Sequence, residues 1–145
     1  MDNQDNLIRH NDKVWLKTYK ELGLTYDIEL PAENTSLIDI FEQSFKKYSD
    51  KTAYICMGAS MSFQELDRYS RQLAAYLQSL GLKKGDKVAV MMPNILQMPV
   101  AVAAVLRAGL VLVNVNPLYT AKELEHQLDD SDAKVLIIVE NFAKT

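Results

Sequence analysis

Three short apolar runs, separated by two segments of helical length, constrain the fold of this chain more than any other feature. The runs cover residues 88–92, 110–115 and 135–139, and each has the length and residue types of a strand that is buried on both faces. The segments between them, residues 95–108 and 120–128, have the composition of helices. This alternation predicts an α/β fold: a parallel βαβαβ sheet flanked by helices and joined by right-handed crossovers.

The segment before these runs predicts a helix and a hairpin. Ser36 can cap the amino end of a helix, and Asp39 lies in its first turn, where a negative charge suits the helix dipole. Residues 52–57 have the residue types of a strand, residues 58–60 indicate a tight turn, and a short returning strand is expected at residues 61–63. These elements would add to the βαβαβ core.

Two capping boxes mark the starts of further helices. Ser62 with Glu65, and Thr120 with Glu123, each combine a hydroxyl residue with a glutamate three positions later. Gly81 ends the first of these helices, because glycine readily adopts the left-handed conformation. Leucines at helical spacing predict a buried stripe on that helix: Leu66, Leu73, Leu77 and Leu80.

The segment at residues 95–108 is apolar on nearly every side, which predicts a helix that is buried all round. A domain of this size offers little for one of its faces to pack on, so the pattern indicates further protein that covers it. Without that cover, we expect the chain to dimerise or aggregate. Pro99 requires that the helix begins after Ile95 or bends there, because proline fits only the first turn without a kink.

Length and charge limit the organisation and the function classes. The chain has 145 residues, and we expect an irregular leader over residues 1–35 followed by an incomplete α/β subdomain over residues 36–145. A net charge of −3 argues against nucleic-acid binding, which requires a basic face. Residues 1–9 contain no apolar signal core, and no apolar stretch reaches membrane-spanning length. The expected location is the cytoplasm.

The residues that could carry chemistry favour structural roles. Cys56 is the one cysteine, so neither an intrachain disulfide nor a Cys-based metal site can form, and in a strand it is expected to act as a small core hydrophobe. No glycine-rich phosphate-binding motif occurs.

His126 precedes an acidic turn over residues 129–132 that contains Ser131, but the sharp elbow of a catalytic triad is absent. Adjacent acids such as Asp129 and Asp130 do not by themselves make a metal site. We therefore predict no catalytic, cofactor-binding or metal-ligating residue in this chain.

Three ordered motifs resemble those of adenylate-forming acyl ligases. Residues 61–66 (MSFQEL) are similar to the family's T-[YF]-x-E-L motif, and residues 81–94 (GLKKGDKVAVMMPN) to its G-x-x-x-G-D-x-V stretch ending in asparagine. Residues 106–124 (LRAGLVLVNVNPLYTAKEL) resemble its L-x-A-G…N-P…E-L motif. The order and spacing also agree, and the resemblance extends over residues 36–139.

Residues 114–120 (NVNPLYT), followed by ELEHQL at 123–128, most resemble bacterial long-chain fatty-acid–CoA ligases. The resemblance implies an enzyme that uses ATP, Mg²⁺ and coenzyme A to convert a fatty acid, through an acyl-adenylate, into its thioester. The family's phosphate loop, adenine and magnesium residues and catalytic lysine follow this region, so the resemblance assigns no catalytic residue here. For Asn116 and Tyr119 it leaves a binding role open beside a plain turn.

The same resemblance implies the partners of the chain. They are the remainder of a longer ligase chain, a long-chain fatty acid and, through peripheral contact, the inner membrane. Two alternatives stay open on the sequence: a freestanding binding or regulatory module derived from this subdomain, and a related acyl- or aryl-CoA ligase with another acid substrate.

Overall fold

The computed structural model describes residues 15–24 and 36–144, which belong to two compact units, residues 1–33 and 34–145. In the first unit, α1 (Trp15–Glu21) lies within the segment that was predicted to be an irregular leader. Its apolar side chains Trp15 and Tyr19 are exposed within that unit. Residues 1–14 and 25–35 of the predicted leader lie outside the described residues.

The second unit contains the predicted α/β fold. Its elements are α2 (Leu37–Lys47), β1 (Thr52–Cys56), β2 (Ala59–Ser62), α3 (Phe63–Ser79), β3 (Lys87–Met91), α4 (Gln97–Arg107), β4 (Val111–Val115), α5 (Ala121–Ser131), β5 (Ala133–Ile138) and a 3₁₀ turn (Glu140–Phe142). Strands β1 and β2 form an antiparallel hairpin, and the other three form a parallel sheet in the order β4-β3-β5. The predicted βαβαβ sheet is therefore confirmed.

The sheet carries helices on both faces. Val88 and Val90 of β3 pack with α3 and α4 on one face, whereas Ala89 and Met91 pack toward α5 on the other. Helix α4 connects β3 to β4, and α5 then carries the chain back past β3 to β5. The reversal places the two connecting helices on opposite faces, as in doubly wound folds.

The prediction that all three strands are buried on both faces holds only for β3. Its residues Val88 to Met91 are completely buried, whereas Val111 and Asn114 of β4 are exposed and the apolar residues of β5 are half-buried. The physical reason is position, because β4 and β5 each have a neighbouring strand on one side only.

The predicted caps form. The Ser62 hydroxyl accepts a hydrogen bond of 3.2 Å from the Glu65 amide, and the Glu65 carboxylate accepts one of 2.9 Å from the Ser62 amide. Thr120 and Glu123 repeat this arrangement at the start of α5, and Ser36 caps α2. The bond from the Ser62 amide lowers the pKa of Glu65 below its ordinary value, because a hydrogen bond to a carboxylate favours its charged form.

The hairpin turn is shorter than predicted. Met57 and Gly58 both have positive φ angles, 51° and 81°, as in the tight two-residue turns that match strand twist. Strand β2 therefore begins at Ala59, inside the predicted turn. Phe63 begins α3 instead of continuing the strand, because Ser62 already serves as the cap.

The leucine stripe of α3 is correct for two positions of four. Leu66 and Leu77 are buried, and Leu73 is half-buried against the sheet-facing core. Leu80 is 48% exposed because the helix ends at Ser79 and Leu80 follows as its cap. Gly81 adopts the predicted left-handed conformation with φ 81°.

Helix α4 is apolar all round because it lies between two cores. Ala101 and Val105 pack on the sheet side with α3, while Val100 and Ala103 pack against α2, the hairpin and another part of α3. The expectation that one face lacks cover is thus wrong for most of the helix. Pro99 lies in the first turn, since the helix begins at Gln97, and no bend is required.

Asp86 forms bonds that connect the amino ends of the sheet strands. One carboxylate oxygen accepts from the amide of Lys83 at 2.7 Å, and the other lies 2.7 Å from the ammonium of Lys134 on β5. The carbonyl of Asp86 accepts from the amide of Val111 on β4. Lys134 foremost, and then the Lys83 amide, lower the pKa of Asp86.

We expect the coupling between Asp86 and Lys134 to depend on pH. A carboxylate whose pKa is lowered by folding stabilises the fold above its unfolded pKa of about 3.9, and this stabilisation disappears as the pH falls through the lower folded value. Urea unfolding of wild type, Asp86→Asn, Lys134→Met and the double variant should therefore give a coupling at pH 7 that vanishes toward pH 2. A coupling that stays constant from pH 7 to pH 2 would contradict the prediction that it depends on the charge of Asp86.

Candidate functional site

An apolar groove lies between α2, strand β1 and the start of α4. It has a volume of about 380 Å³. Its walls are formed by Phe41, Phe45, Tyr54, Ile55, Cys56, Leu66, Asn94, Ile95, Leu96, Met98, Pro99, Val102 and Ala103. Helix α4 packs against the sheet with one side and against α2 with the other. The groove lies where the contact between α4 and α2 is incomplete.

The loop after β3 shapes one wall of the groove. Pro93 and Asn94 follow the strand, and Ile95 and Leu96 form a turn before α4 begins. The thiol of Cys56 lies 3.5 Å from the carbonyl oxygen of Asn94, which joins β1 to this loop. The hairpin then extends past the groove, with Ile55 75% exposed and Met57 96% exposed.

The chemistry of the groove is that of an apolar contact surface. None of the residues that line it carries a charge, and its polar groups are the Asn94 amide, the Tyr54 hydroxyl and the Cys56 thiol. General acid–base catalysis requires a titratable group at hydrogen-bond distance from the reacting atom, and these residues offer no acid–base pair. The groove can accept apolar side chains or an apolar ligand.

Cys56 differs in part from its predicted role. It is half-buried, and it lies at the edge of the groove instead of inside a core. Within residues 15–24 and 36–144, no cluster of three or more His, Cys, Asp or Glu residues is arranged to hold a metal ion.

The structure does not bring His126 and Ser131 together. His126 is exposed on α5, and the Ser131 hydroxyl donates to the carbonyl of Leu128 in the same helix. Helix α5 extends to Ser131, beyond its predicted end, and Asp132 takes a left-handed conformation to close it. Asp129 is exposed on the same helix end. These residues form a helix terminus.

Asn116 and Tyr119 lie in the turn between β4 and α5. The Asn116 side chain accepts from the amide of Leu118 at 3.0 Å, and its carbonyl accepts from the amide of Tyr119 at 3.1 Å. The ring of Tyr119 packs with the core on the α5 face. Both residues therefore have structural roles that explain why they occur in the motif.

The sequence pattern did not predict the ion-pair network that is centred on Arg107. The guanidinium of Arg107 lies 2.6 Å from Glu42 and 2.7 Å from Asp67, and 5.4 Å from the Phe45 ring. Its side chain is 11% exposed, whereas Arg71, which contacts the same two acids, is 56% exposed. An arginine inside an otherwise apolar helix was the available signal, since such a charge needs partners when buried.

The lining of the groove does not suit ATP or Mg²⁺. The groove has no cationic side chain, and the residues at the amino end of α4 that line it, Ile95, Leu96 and Pro99, are apolar. No step of an adenylation reaction is assigned to these residues. No helix among the described residues has the length and hydropathy required to cross a bilayer.

Comparisons with known proteins agree on one class. A family model described as AMP-binding enzyme matches residues 41–145. A long-chain-fatty-acid–CoA ligase of Escherichia coli O6:H1 is 55% identical over 134 residues, which is 92% of this chain and 24% of that protein. The chain thus spans about a quarter of the length of this curated relative.

Two solved structures share the fold. An anthranilate CoA ligase, AuaEII, in complex with anthranoyl-AMP, has a TM-score of 0.73 and 25% identity over 79% of this chain and 22% of its own. The N-terminal subdomain of Klebsiella oxytoca NpsA, in complex with anthranilyl-AMSN, has a TM-score of 0.69 and 28% identity over 72% of this chain and 28% of its own.

The doubly wound sheet and its flanking helices define the class: the α/β architecture found in the N-terminal domains of adenylate-forming enzymes. The family match extends over most of the chain and includes all three parallel strands. The chain belongs to the AMP-binding enzyme family. The resemblance in its three motifs is thereby confirmed.

Proposed function

We propose that this chain is the first part of the N-terminal domain of a long-chain fatty-acid–CoA ligase. The observation that carries the proposal is the 55% identity to the Escherichia coli ligase over 92% of the chain. The identity to the aryl enzyme AuaEII is 25%. The difference favours a long-chain fatty acid over an aromatic acid as the substrate of the longer enzyme.

In this proposal the longer enzyme uses ATP and Mg²⁺ to form an acyl-adenylate and pyrophosphate, and coenzyme A then takes the acyl group. The described part of this chain supplies a scaffold for that reaction and none of its acid–base groups. The proposal also places the enzyme in the cytoplasm with peripheral contact to the inner membrane. Self-association of the chain stays a prediction.

The test is pyrophosphate exchange into ATP. We expect no exchange from the 145-residue chain, and exchange that depends on a long-chain fatty acid once the chain is extended as its coding sequence continues. Anthranilate or benzoate in place of the fatty acid is the matched control and should give little exchange.

Three results would contradict the proposal. Exchange by the 145-residue chain alone would place the reaction within it. A preference for the aromatic acids would indicate an aryl ligase. A coding sequence that stops at Thr145 would favour the freestanding module.

A further inference from the structure

The turn of the β1–β2 hairpin holds an apolar side chain where neither its exposure nor its backbone is favourable. Met57 is 96% exposed, and its φ angle is 51°. Positive φ angles in turns suit glycine, asparagine and aspartate, whereas other side chains are strained there. An asparagine at this position would relieve the strain and be well solvated. The fold of the chain therefore does not explain a methionine here, and an apolar contact outside that fold would.

Met57 belongs to a larger exposed apolar surface. Ile55 of β1 lines the groove and is 75% exposed, and Tyr54 beside it is also exposed. On α2, Leu37 lies one turn before the groove residue Phe41 and is 62% exposed. The hairpin thus protrudes next to a recess, the groove of about 380 Å³. Adjoining exposed apolar side chains of this kind mark an interaction site.

The charge and size of this surface select the partner. None of the residues that line the groove is charged, although charged residues make up 24% of the chain. A charged group that entered the groove would lose its hydration without an ion-pair partner. The volume lies at the lower end of the range for ligand pockets, so a few apolar side chains would fill it. The hairpin of this same chain offers such side chains in Ile55 and Met57.

We propose that two copies of this chain form a dimer in which the hairpin of each copy lies in the groove of the other. A two-fold axis repeats each contact, so it requires a surface that is complementary to itself. The recess and the protrusion meet at Cys56, which lines the groove and directly precedes Met57. An axis close to Cys56 places each Met57 over the groove of the second copy. The predicted self-association thereby acquires a defined surface, and the inference does not depend on the proposed function.

Sedimentation equilibrium of the 145-residue chain over a concentration series tests the dimer. The apparent mass of the wild type should rise with concentration toward that of two chains. Met57→Asn should weaken the dimer by at least roughly five-fold, because truncation of an anchor residue has effects of this size. Its urea midpoint at low concentration should be no lower than that of the wild type, since asparagine tolerates the left-handed conformation.

A pair of charge substitutions separates hairpin-to-groove contact from general stickiness. Met57→Lys alters the hairpin, and Pro99→Glu places a charge in the groove within the first turn of α4, where a negative charge suits the helix dipole. Each variant alone should dimerise at least roughly five-fold more weakly than the wild type. An equimolar mixture should regain much of the association, because the unaltered hairpin of one variant meets the unaltered groove of the other.

Leu80→Lys is the matched control for Met57→Lys. It makes the same change at an exposed apolar residue, but Leu80 precedes β3, whereas the groove lies beyond the other end of that strand. Its dimer constant should equal that of the wild type.

Three results would overturn the inference. The first is a wild-type chain that stays monomeric over the whole series. The second is association that both Met57 variants leave unchanged, which would assign it to another surface, such as the exposed Trp15 and Tyr19 of α1. The third is a mixture of Met57→Lys and Pro99→Glu that associates no better than the separate variants, because hairpin and groove would then not be partners.

Discussion

Replacing Leu77 by alanine should lower the free energy of unfolding of the second unit by about 3–4 kcal/mol. Leu77 is 1% exposed, and it packs from α3 against Val88 and Val90 of the central strand and Val105 of α4. Its truncation removes apolar contacts with two elements, and a cavity is left that buried β3 cannot move to fill. Urea unfolding followed by far-UV circular dichroism measures the change.

Leu80→Ala is the matched control for this substitution. It removes the same atoms from the same segment, but Leu80 is 48% exposed and follows the helix as its cap. We expect a cost below about 1 kcal/mol. Leu73 is half-buried on the same core, so the cost of Leu73→Ala should lie between the costs of the other two substitutions. Equal losses at Leu77 and Leu80 would mean that α3 presents a different face to the sheet.

Replacing Arg107 by leucine should cost about 2–3 kcal/mol, because it removes a largely buried guanidinium that donates a charge-assisted hydrogen bond to Asp67 and forms an ion pair with Glu42. Arg107 joins α4 to Glu42 of α2 and Asp67 of α3, and its guanidinium also lies over the ring of Phe45. Among the described residues, the variant leaves Asp67, whose side chain is 28% exposed, with Arg71 as its remaining ion-pair partner. The free energy of unfolding at pH 7 measures the loss.

Arg71→Leu is the control, because Arg71 contacts the same two acids from a position that is 56% exposed. Exposed ion pairs contribute about 0–1 kcal/mol and weaken with salt. The cost of Arg71→Leu should therefore be small. It should shrink further in about 1 M NaCl, where the Debye length is about 3 Å and exposed charges are screened. The cost of Arg107→Leu should persist at this salt concentration. Two variants of equal cost at both salt concentrations would show that burial does not distinguish these arginines.

The ion-pair network and the groove adjoin each other. Phe45 contacts both, since its ring lies under Arg107 and also lines the groove. The ion pairs hold α2 against α3 and α4, and the groove opens where α2 and β1 do not meet the start of α4.

The local elements and the class of the fold follow from the sequence alone. The capping boxes at Ser62 and Thr120 act within four residues, and the apolar runs that became β3, β4 and β5 need no distant partner to be recognised as strands. The three motifs led to the family that the comparisons then showed. Hydrogen bonds and periodicity of this kind are local, so they are visible in a linear pattern.

Three features become visible only in the packed fold: which strand is central, why α4 is apolar all round, and which residues are the partners of Arg107. Periodicity describes the face of one element and does not state what lies against it, so β3 and β5 looked alike until their pairing was known. Glu42 and Asp67 lie 65 and 40 positions from Arg107 in the sequence. Contacts at such separations depend on how the elements pack, and packing is decided by the whole fold.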